Sequence, residues 1–175
     1  MNYHLEPYTD IVNLLRRWGD GFKDENAPEI LALRQYNIEQ ITKAMTAILA
    51  FAEEDVRFHA VDAIPYLVCG EVVIDLLLPY LNDPNRILRW VLCELFHGFP
   101  DARVVLPLAK LLEADIDPNV RVVAAEALFA VGDERAIPAL VHAAEHDDGK
   151  DFEDRTVSYA ARQALLAIEK RTKSV

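Results

Sequence analysis

Residues 117–140, DPNVRVVAAEALFAVGDERAIPAL, are the stretch that decides the fold. Asp117 is a residue type that caps helix N-termini, and Pro118 costs no hydrogen bond at a first helical position because its N–H would be unpaired there. Apolar residues then recur at helical spacing, at Val120, Ala124, Ala127, Leu128 and Val131. Gly132 ends this helix and Asp133 can cap a second one, whose apolar stripe is Ile137, Leu140 and Val141. The stretch therefore predicts two amphipathic helices joined by a tight turn.

The same pattern recurs along the chain with a period of 32 residues. The pairs Val56-Arg57, Leu88-Arg89 and Val120-Arg121 follow one another at that interval. A fourth copy begins at Val157, 37 residues after the third, with Ser158 in place of the arginine and the extra length in the polar loop at 147–151. Because one helix pair cannot bury both of its apolar stripes, this period predicts a stack of helix pairs.

This succession of an apolar helix, Asp-Pro, Val-Arg, a small-residue helix and Gly-Asp resembles the HEAT repeat. The resemblance is strongest to the short bacterial HEAT-like repeats that also occur in phycobilin lyase subunits, and it covers residues 38–170. It implies an all-α fold, a right-handed α-α superhelix of about four helix pairs. HEAT arrays are scaffolds for many functions, so the resemblance alone does not identify a partner.

We expect a single domain over residues 1–175, with an N-terminal helical cap at 1–36 and four HEAT-like repeats at 37–171. The cap consists of two short helices that do not fit the repeat, at 9–18 and 28–33. Asn37 and Gln40 form a capping-box signal for a helix that extends to Ala52. The remaining helices are predicted at 54–69, 71–81, 86–98, 102–113, 118–131, 134–146 and 154–171. Prolines on the first helices of successive pairs are expected to kink them, at Pro79, Pro107 and Pro138.

The composition is that of a soluble globular protein, with 52% hydrophobic and 27% charged residues and no apolar run that approaches the roughly 20 residues of a membrane helix. The N-terminus lacks a signal sequence, so we expect a cytoplasmic protein. The net charge of −11 argues against nucleic acid as a partner and favours a basic one. Cys69 and Cys93 lie in apolar stretches and are expected to be buried free thiols.

The periodic arginines and the second helices are given roles by the resemblance. It implies that Arg57, Arg89 and Arg121 bond aspartates of neighbouring repeats, and that the second helices line a concave surface. Two columns of side chains would then face a partner: Phe58, Trp90, Val122 and Tyr159 in one, and Asp62, Glu94, Glu126 and Gln163 in the other, with His59 beside them. Aromatic rings beside carboxylates suit a basic ligand. Alternatively, the rings pack between repeats, since an error of one residue in register rotates a side chain by about 100°.

One string of residues resembles an enzyme motif. His142, Glu145 and His146 match the H-x-x-E-H pattern of inverted zinc peptidases. A zinc site would need a third ligand, and only Glu153, Asp154 and Glu169 remain downstream. We therefore expect no catalytic metal, no cofactor and no enzymatic activity, while adventitious metal binding by the two histidines stays open.

The sequence as a whole predicts a non-enzymatic protein–protein interaction scaffold, or an inhibitor or immunity-type module, that binds a basic protein through its concave acidic and aromatic face. The alternative is a phycobilin lyase-type subunit that handles a bilin chromophore, which the resemblance permits.

Overall fold

The computed structural model describes residues 4–19 and 24–173, and within these ranges the chain is all-α. The described residues form ten α-helices: α1 (Thr9–Gly19), α2 (Pro28–Leu33), α3 (Ile38–Phe51), α4 (Glu54–Leu67), α5 (Gly70–Leu77), α6 (Arg86–His97), α7 (Val105–Ala114), α8 (Pro118–Val131), α9 (Ile137–His146) and α10 (Val157–Lys173). Short 3-10 helices span Glu6–Tyr8, Leu78–Asn82 and Glu134–Ala136. The predicted fold class is confirmed. Residues 20–23 of the polar segment between α1 and α2 lie outside the described residues.

Capping residues define the starts of α3 and α8. Asn37 Oδ1 accepts a hydrogen bond from the Gln40 N–H, and Gln40 Oε1 accepts one from the Asn37 N–H, both at 2.9 Å, so the predicted capping box is formed. At α8, Asp117 Oδ1 accepts from the Asn119 N–H at 2.9 Å, and Pro118 is the first helical residue. These bonds satisfy donors that the helix itself leaves unpaired.

The prolines of the first helices do not have the effect expected of them. Pro107 is the third residue of α7 and Pro138 the second of α9, and N–H groups in a first turn have no acceptor within the helix. Proline at these positions therefore removes no hydrogen bond, and the expectation of a kink there was wrong. Pro79 lies in the 3-10 helix that follows α5, so the α-helix predicted to reach residue 81 ends at Leu77.

The helices are grouped into two compact units, residues 1–77 and 78–175. In the first unit, α1 packs on α2 and α4, α3 packs on α4, and α5 contacts both α3 and α4. Its core consists of side chains with almost no exposed surface, among them Leu15, Trp18, Ile30, Leu33, Ile48 and Ile64. The helices α1 and α2 thus cover one side of α4. That both units form one domain stays a prediction.

The second unit consists of two layers of helices. The helices α6, α8 and α10 pack side by side in one layer, while α7 and α9 form the other layer and contact α8 and α10. The central helix α8 is buried along most of its length, at Val120, Val122, Val123, Ala124, Ala125, Ala127 and Leu128. Three of these buried residues are alanines, and their small side chains allow the neighbouring helices to approach α8 closely.

Two of the periodic arginines connect successive repeats in this unit. Arg89 Nε and Nη2 donate to the carboxylate of Asp115 at 2.6 and 2.8 Å, and Arg121 Nε and Nη2 donate to that of Asp147 at 2.7 and 3.0 Å. Each arginine also donates through Nη1 to a backbone carbonyl, that of Asp83 for Arg89 and that of Asp115 for Arg121. The predicted structural role of Arg89 and Arg121 is confirmed, and for Arg57 it stays a prediction.

The two cysteines differ in exposure. Cys93 is buried in α6, as expected, but Cys69 is exposed, and both are free thiols. The helix α4 ends at Leu67 and Val68 is extended, so Cys69 lies in the connection to α5 and not in the predicted helix 54–69. The expectation that Cys69 is buried was therefore wrong.

Candidate interaction surface

Two pockets open on the α6–α8–α10 layer of the second unit. The larger, which we call the acidic pocket, has a volume of about 420 Å³ and polar walls formed by Glu94, His97, Glu126, Arg155, Tyr159 and Gln163. The smaller, the apolar pocket, has a volume of about 280 Å³ and is lined by Arg86, Ile87, Trp90, Asp117, Asn119, Val120 and Phe152. All these residues come from α6, α8, α10 and the segments that directly precede these helices. The pockets therefore lie on the side of this layer that faces away from α7 and α9.

Most of the predicted contact residues of the second unit line these pockets. Glu94, Glu126, Tyr159 and Gln163 are in the walls of the acidic pocket, and Trp90 is in the wall of the apolar pocket. Val122 is the exception, because its side chain has no exposed surface and cannot meet a partner. The neighbouring Val123 lines the acidic pocket instead. The rotation of about 100° per residue turns Val122 into the core, so its assignment to the partner surface has to be corrected.

The other three predicted contact residues lie on α4, in the first unit. Phe58, His59 and Asp62 are all half-buried. The His59 ring packs so tightly on Gly19 of α1 that a Cβ added to this glycine would lie 1.9 Å from His59 Cε1. His59 Nδ1 is buried and has no hydrogen-bond partner among the described residues. His59 thus belongs to the packing of α1 on α4, and a partner surface at Phe58 and Asp62 stays a prediction.

An arginine that the repeat pattern does not mark as a site residue lines the acidic pocket. Arg155 Nη1 lies 2.5 Å from Glu126 Oε1, and Arg155 Nε donates to Asp151 Oδ2 at 2.7 Å. Burial raises the pKa of Glu126 above its ordinary value; the positive charge of Arg155 opposes this rise, and the nearby carboxylates of Glu94 and Asp151 add to it. Glu94 is exposed and has no ion-pair partner in the described part of the chain. Glu94 is therefore the carboxylate of this pocket that is available to a cationic ligand.

The loop at 147–156 holds Arg155 in place. The Asp151 side chain is almost completely buried and accepts hydrogen bonds from the backbone N–H groups of Glu153 and Arg155, both at 2.9 Å. The Phe152 N–H donates to Asn119 Oδ1 of α8, also at 2.9 Å, which fastens the loop to the face of that helix. Asp154 has a φ of 62°, the left-handed region that aspartate tolerates better than most residues. The loop therefore presents Phe152 and Arg155 in a defined conformation.

This loop is the inserted segment that lengthens the last repeat interval from 32 to 37 residues. The insertion and the loss of the repeat arginine at Ser158 were visible in the sequence and marked the loop as different from its counterparts. Nothing in the local pattern indicated that it folds across α8, because that position depends on Asn119 and Glu126, which lie 33 and 29 residues earlier than their partners.

The histidine string is a feature of the end of α9. The rings of His142 and His146 contact each other edge to face with their centroids 5.1 Å apart, and His146 Nε2 is 3.7 Å from Glu145 Oε2. Over residues 4–19 and 24–173, no three His, Cys, Asp or Glu side chains converge in a way that could hold a metal ion.

Among the same residues, no helix combines the length and the apolar character needed to cross a bilayer.

Comparison with known proteins agrees with this architecture. The family model for HEAT repeats matches residues 74–166, just over half of the chain, from α5 into α10. No curated protein matches the sequence. HEAT repeats generally mediate protein–protein interactions. By its repeat pattern, its paired helices and this match, the chain belongs to the HEAT-repeat family.

Proposed function

We propose that this protein is a non-enzymatic interaction module that binds a partner protein with a basic surface through the α6–α8–α10 face. The observation that carries the proposal is the acidic pocket, in which the exposed carboxylate of Glu94 has no ion-pair partner among the described residues and lies in the same walls as the exposed ring of Tyr159. A cavity of about 420 Å³ on the outer side of a helix layer is large enough for a long side chain of a partner.

The charges around the pocket favour a cation. Four carboxylates lie in or next to it, those of Glu94, Glu126, Asp151 and Glu153, and Arg155 pairs with the last three of them. A guanidinium or ammonium group from a partner would pair with Glu94 and could lie over the ring of Tyr159, an arrangement that gains energy from the negative face of the ring. Val123 and Ala127 provide apolar wall for the methylene groups of such a side chain.

The overall charge supports the same proposal. With a formal net charge of −11, the chain attracts basic partners over a distance and accelerates their encounter at low ionic strength. An inhibitor or immunity-type protein that covers a basic functional surface is one concrete form of this function. In such an inhibitor or immunity-type protein, the acidic pocket binds a side chain that the target needs for its own activity.

A photo-crosslinking experiment in the source cell tests the proposal. Benzoylphenylalanine replaces Tyr159 on α10 in one variant and Leu106 on α7 in another; these side chains are 60% and 54% exposed, so the two probes are matched in accessibility. We expect position 159 to give a discrete crosslinked product with a basic protein, and position 106 to give none. A product at 106 alone, equal products at both positions, or none at either would contradict binding through this face.

A further inference from the structure

The apolar pocket contains an exposed aromatic side chain that has no evident role in folding. Phe152 is 72% exposed and Ile87, in the wall of the same pocket, is 45% exposed. Trp90 also lines this pocket, and its indole N–H has no hydrogen-bond partner among the described residues. Single exposed apolar residues are common, but two exposed ones beside a half-buried tryptophan around one cavity are typical of a contact surface.

Hydrogen bonds hold the backbone at this phenylalanine in place. The Phe152 N–H donates to Asn119 Oδ1, and the neighbouring Asp151 carboxylate is fixed by three hydrogen bonds from Glu153 and Arg155. A loop whose backbone is already ordered loses little further backbone entropy when a ligand covers it. The apolar pocket is thus preformed.

The two pockets are arranged in the same order along both helices that form them. On α6, Ile87 lines the apolar pocket and Glu94 the acidic one; on α8, Asn119 and Glu126 have the same relation. Each pair is separated by seven residues, which at a rise of 1.5 Å per residue is about 10 Å. Arg155 lines the acidic pocket, and its Nη2 group makes no hydrogen bond with any described residue.

We infer that the partner contacts this face with an extended chain segment, which places a large apolar side chain in the apolar pocket and a basic side chain in the acidic pocket. This inference rests on the proposed function and specifies the chemistry of its partner. An extended chain covers about 3.3 Å per residue, so a separation of about 10 Å corresponds to two residues that are two to four positions apart. The Nη2 donors of Arg155 are available to a backbone carbonyl of the segment. Because the acidic pocket is negatively charged, the side chain of the segment that enters it is the basic one.

Selection from a displayed library of random dodecapeptides tests the inference. The full-length protein is immobilised as wild type, Phe152→Ser, Glu94→Lys and Ile116→Ser. Ile116 is the matched control, because it is a 91% exposed apolar residue on a different loop. We expect peptides selected on the wild type and on Ile116→Ser to share an apolar and a basic residue at the stated spacing. Selection on Phe152→Ser should lose the apolar preference alone, and selection on Glu94→Lys the basic preference alone.

The affinity of one selected peptide, measured by fluorescence anisotropy, gives the quantitative result. We expect Phe152→Ser to weaken it at least about tenfold and Ile116→Ser to leave it unchanged. Selected peptides without the apolar residue, equal binding by Phe152→Ser, or no selected peptides at all would overturn the inference and leave the proposed function to the crosslinking result. A wild-type dimer that Phe152→Ser converts to a monomer in sedimentation would also overturn it, because the occupant would then be a second copy of this chain.

Discussion

Arg155 and Glu126 form an ion pair, with Nη1 and Oε1 2.5 Å apart, that joins the loop before α10 to the face of α8. The two side chains are 37% and 36% exposed, so the pair is only partly screened by water. Arg155 is held from its other side by Asp151, and this double attachment makes the loop part of the surface formed by α6, α8 and α10. On that surface the loop contributes Arg155 to the acidic pocket and Phe152 to the apolar one.

Glu126→Gln is expected to change how stability depends on pH. Burial chiefly raises the pKa of Glu126 above the ordinary 4.5, so the folded state binds its proton more readily than the unfolded state does. The folded state gains stability from this tighter proton binding. That gain is fully present below about pH 4.5 and is lost as the pH rises through the raised pKa of Glu126. In urea denaturation, the unfolding free energy of wild type minus that of Glu126→Gln should therefore fall from acidic to neutral pH.

Asp147→Asn is the control for the sign of this effect. Burial would raise the pKa of Asp147, but hydrogen bonds from Arg121 and from the Gly149 N–H outweigh it and lower the pKa below 3.8. The contribution of the Asp147 carboxylate to stability is present above about pH 3.8 and is lost as the pH falls through its lowered pKa. This pH dependence is opposite in direction to that of Glu126. Curves for the two variants that change with pH in the same direction would contradict the raised pKa of Glu126.

Breaking the inter-repeat bridge between Arg89 and Asp115 should destabilise the protein strongly. The two side chains are 11% and 2% exposed, so Asp115→Ala leaves a cation with little access to water, and we expect it to lower the unfolding free energy by about 3 kcal/mol. The double variant Arg89→Ala with Asp115→Ala should lose clearly less than the sum of the single changes. Arg16→Ala, which breaks the exposed pair with Glu53, should cost less than about 1 kcal/mol. Additive losses at the buried pair would show that the two side chains do not interact.

Gly149→Ala is expected to disrupt the second bridge through steric overlap. A Cβ at this position would lie 2.5 Å from Arg121 Nη2 and 2.9 Å from Asp147 Oδ1, so both groups have to shift away from it and their bidentate geometry is disturbed. The loss of these charged hydrogen bonds should cost about 2 kcal/mol in thermal or chemical unfolding. Gly98→Ala serves as the matched change, because a Cβ there meets only the Leu95 carbonyl at an ordinary 3.5 Å. If both variants are equally stable, the bridge does not require the glycine.

Charge reversal at Glu94 should weaken partner binding selectively. Glu94→Lys places a cation in the acidic pocket next to Arg155, and we expect the affinity for the crosslinked partner to fall at least about tenfold at low salt. Glu113→Lys changes the net charge equally at an exposed position of α7 and should have little effect on the dissociation rate. The measurement is surface plasmon resonance at several salt concentrations. Equal losses of affinity in both variants would show that the partner is held by general electrostatic attraction and not by a defined pocket.

The two thiols should react at very different rates. Cys69 is exposed, whereas Cys93 is buried, and burial strongly raises the pKa of its thiol. Because the thiolate is the reactive form, Ellman's reagent should modify one thiol in the native protein and two in denaturant. The variant Cys69→Ser should then show no fast reaction. Rapid modification of both native thiols would mean that α6 opens readily.

Four of the predicted contact residues line one pocket because they are periodic. Glu94 and Glu126 are separated by one repeat, and the helices that carry them are packed side by side, so equal positions in the repeat become neighbours in space. The aspartates that pair with Arg89 and Arg121 follow the same rule: Asp115 and Asp147 are 32 residues apart, a signal that could have identified them as partners. Periodicity did not extend to the inserted loop, and Phe152 and Arg155 were missed for that reason.

The sequence by itself determined the helices, their caps and the stacking of helix pairs, because capping hydrogen bonds and apolar spacing act within a few residues and are repeated along the chain. The tertiary structure alone decided which side of α8 is covered, and so buried Val122 while leaving Glu126 in a pocket. It also decided that the loop at 147–156 lies across α8, through the bonds from Phe152 to Asn119 and from Arg155 to Glu126. Those bonds join residues about thirty positions apart, and no local pattern encodes them.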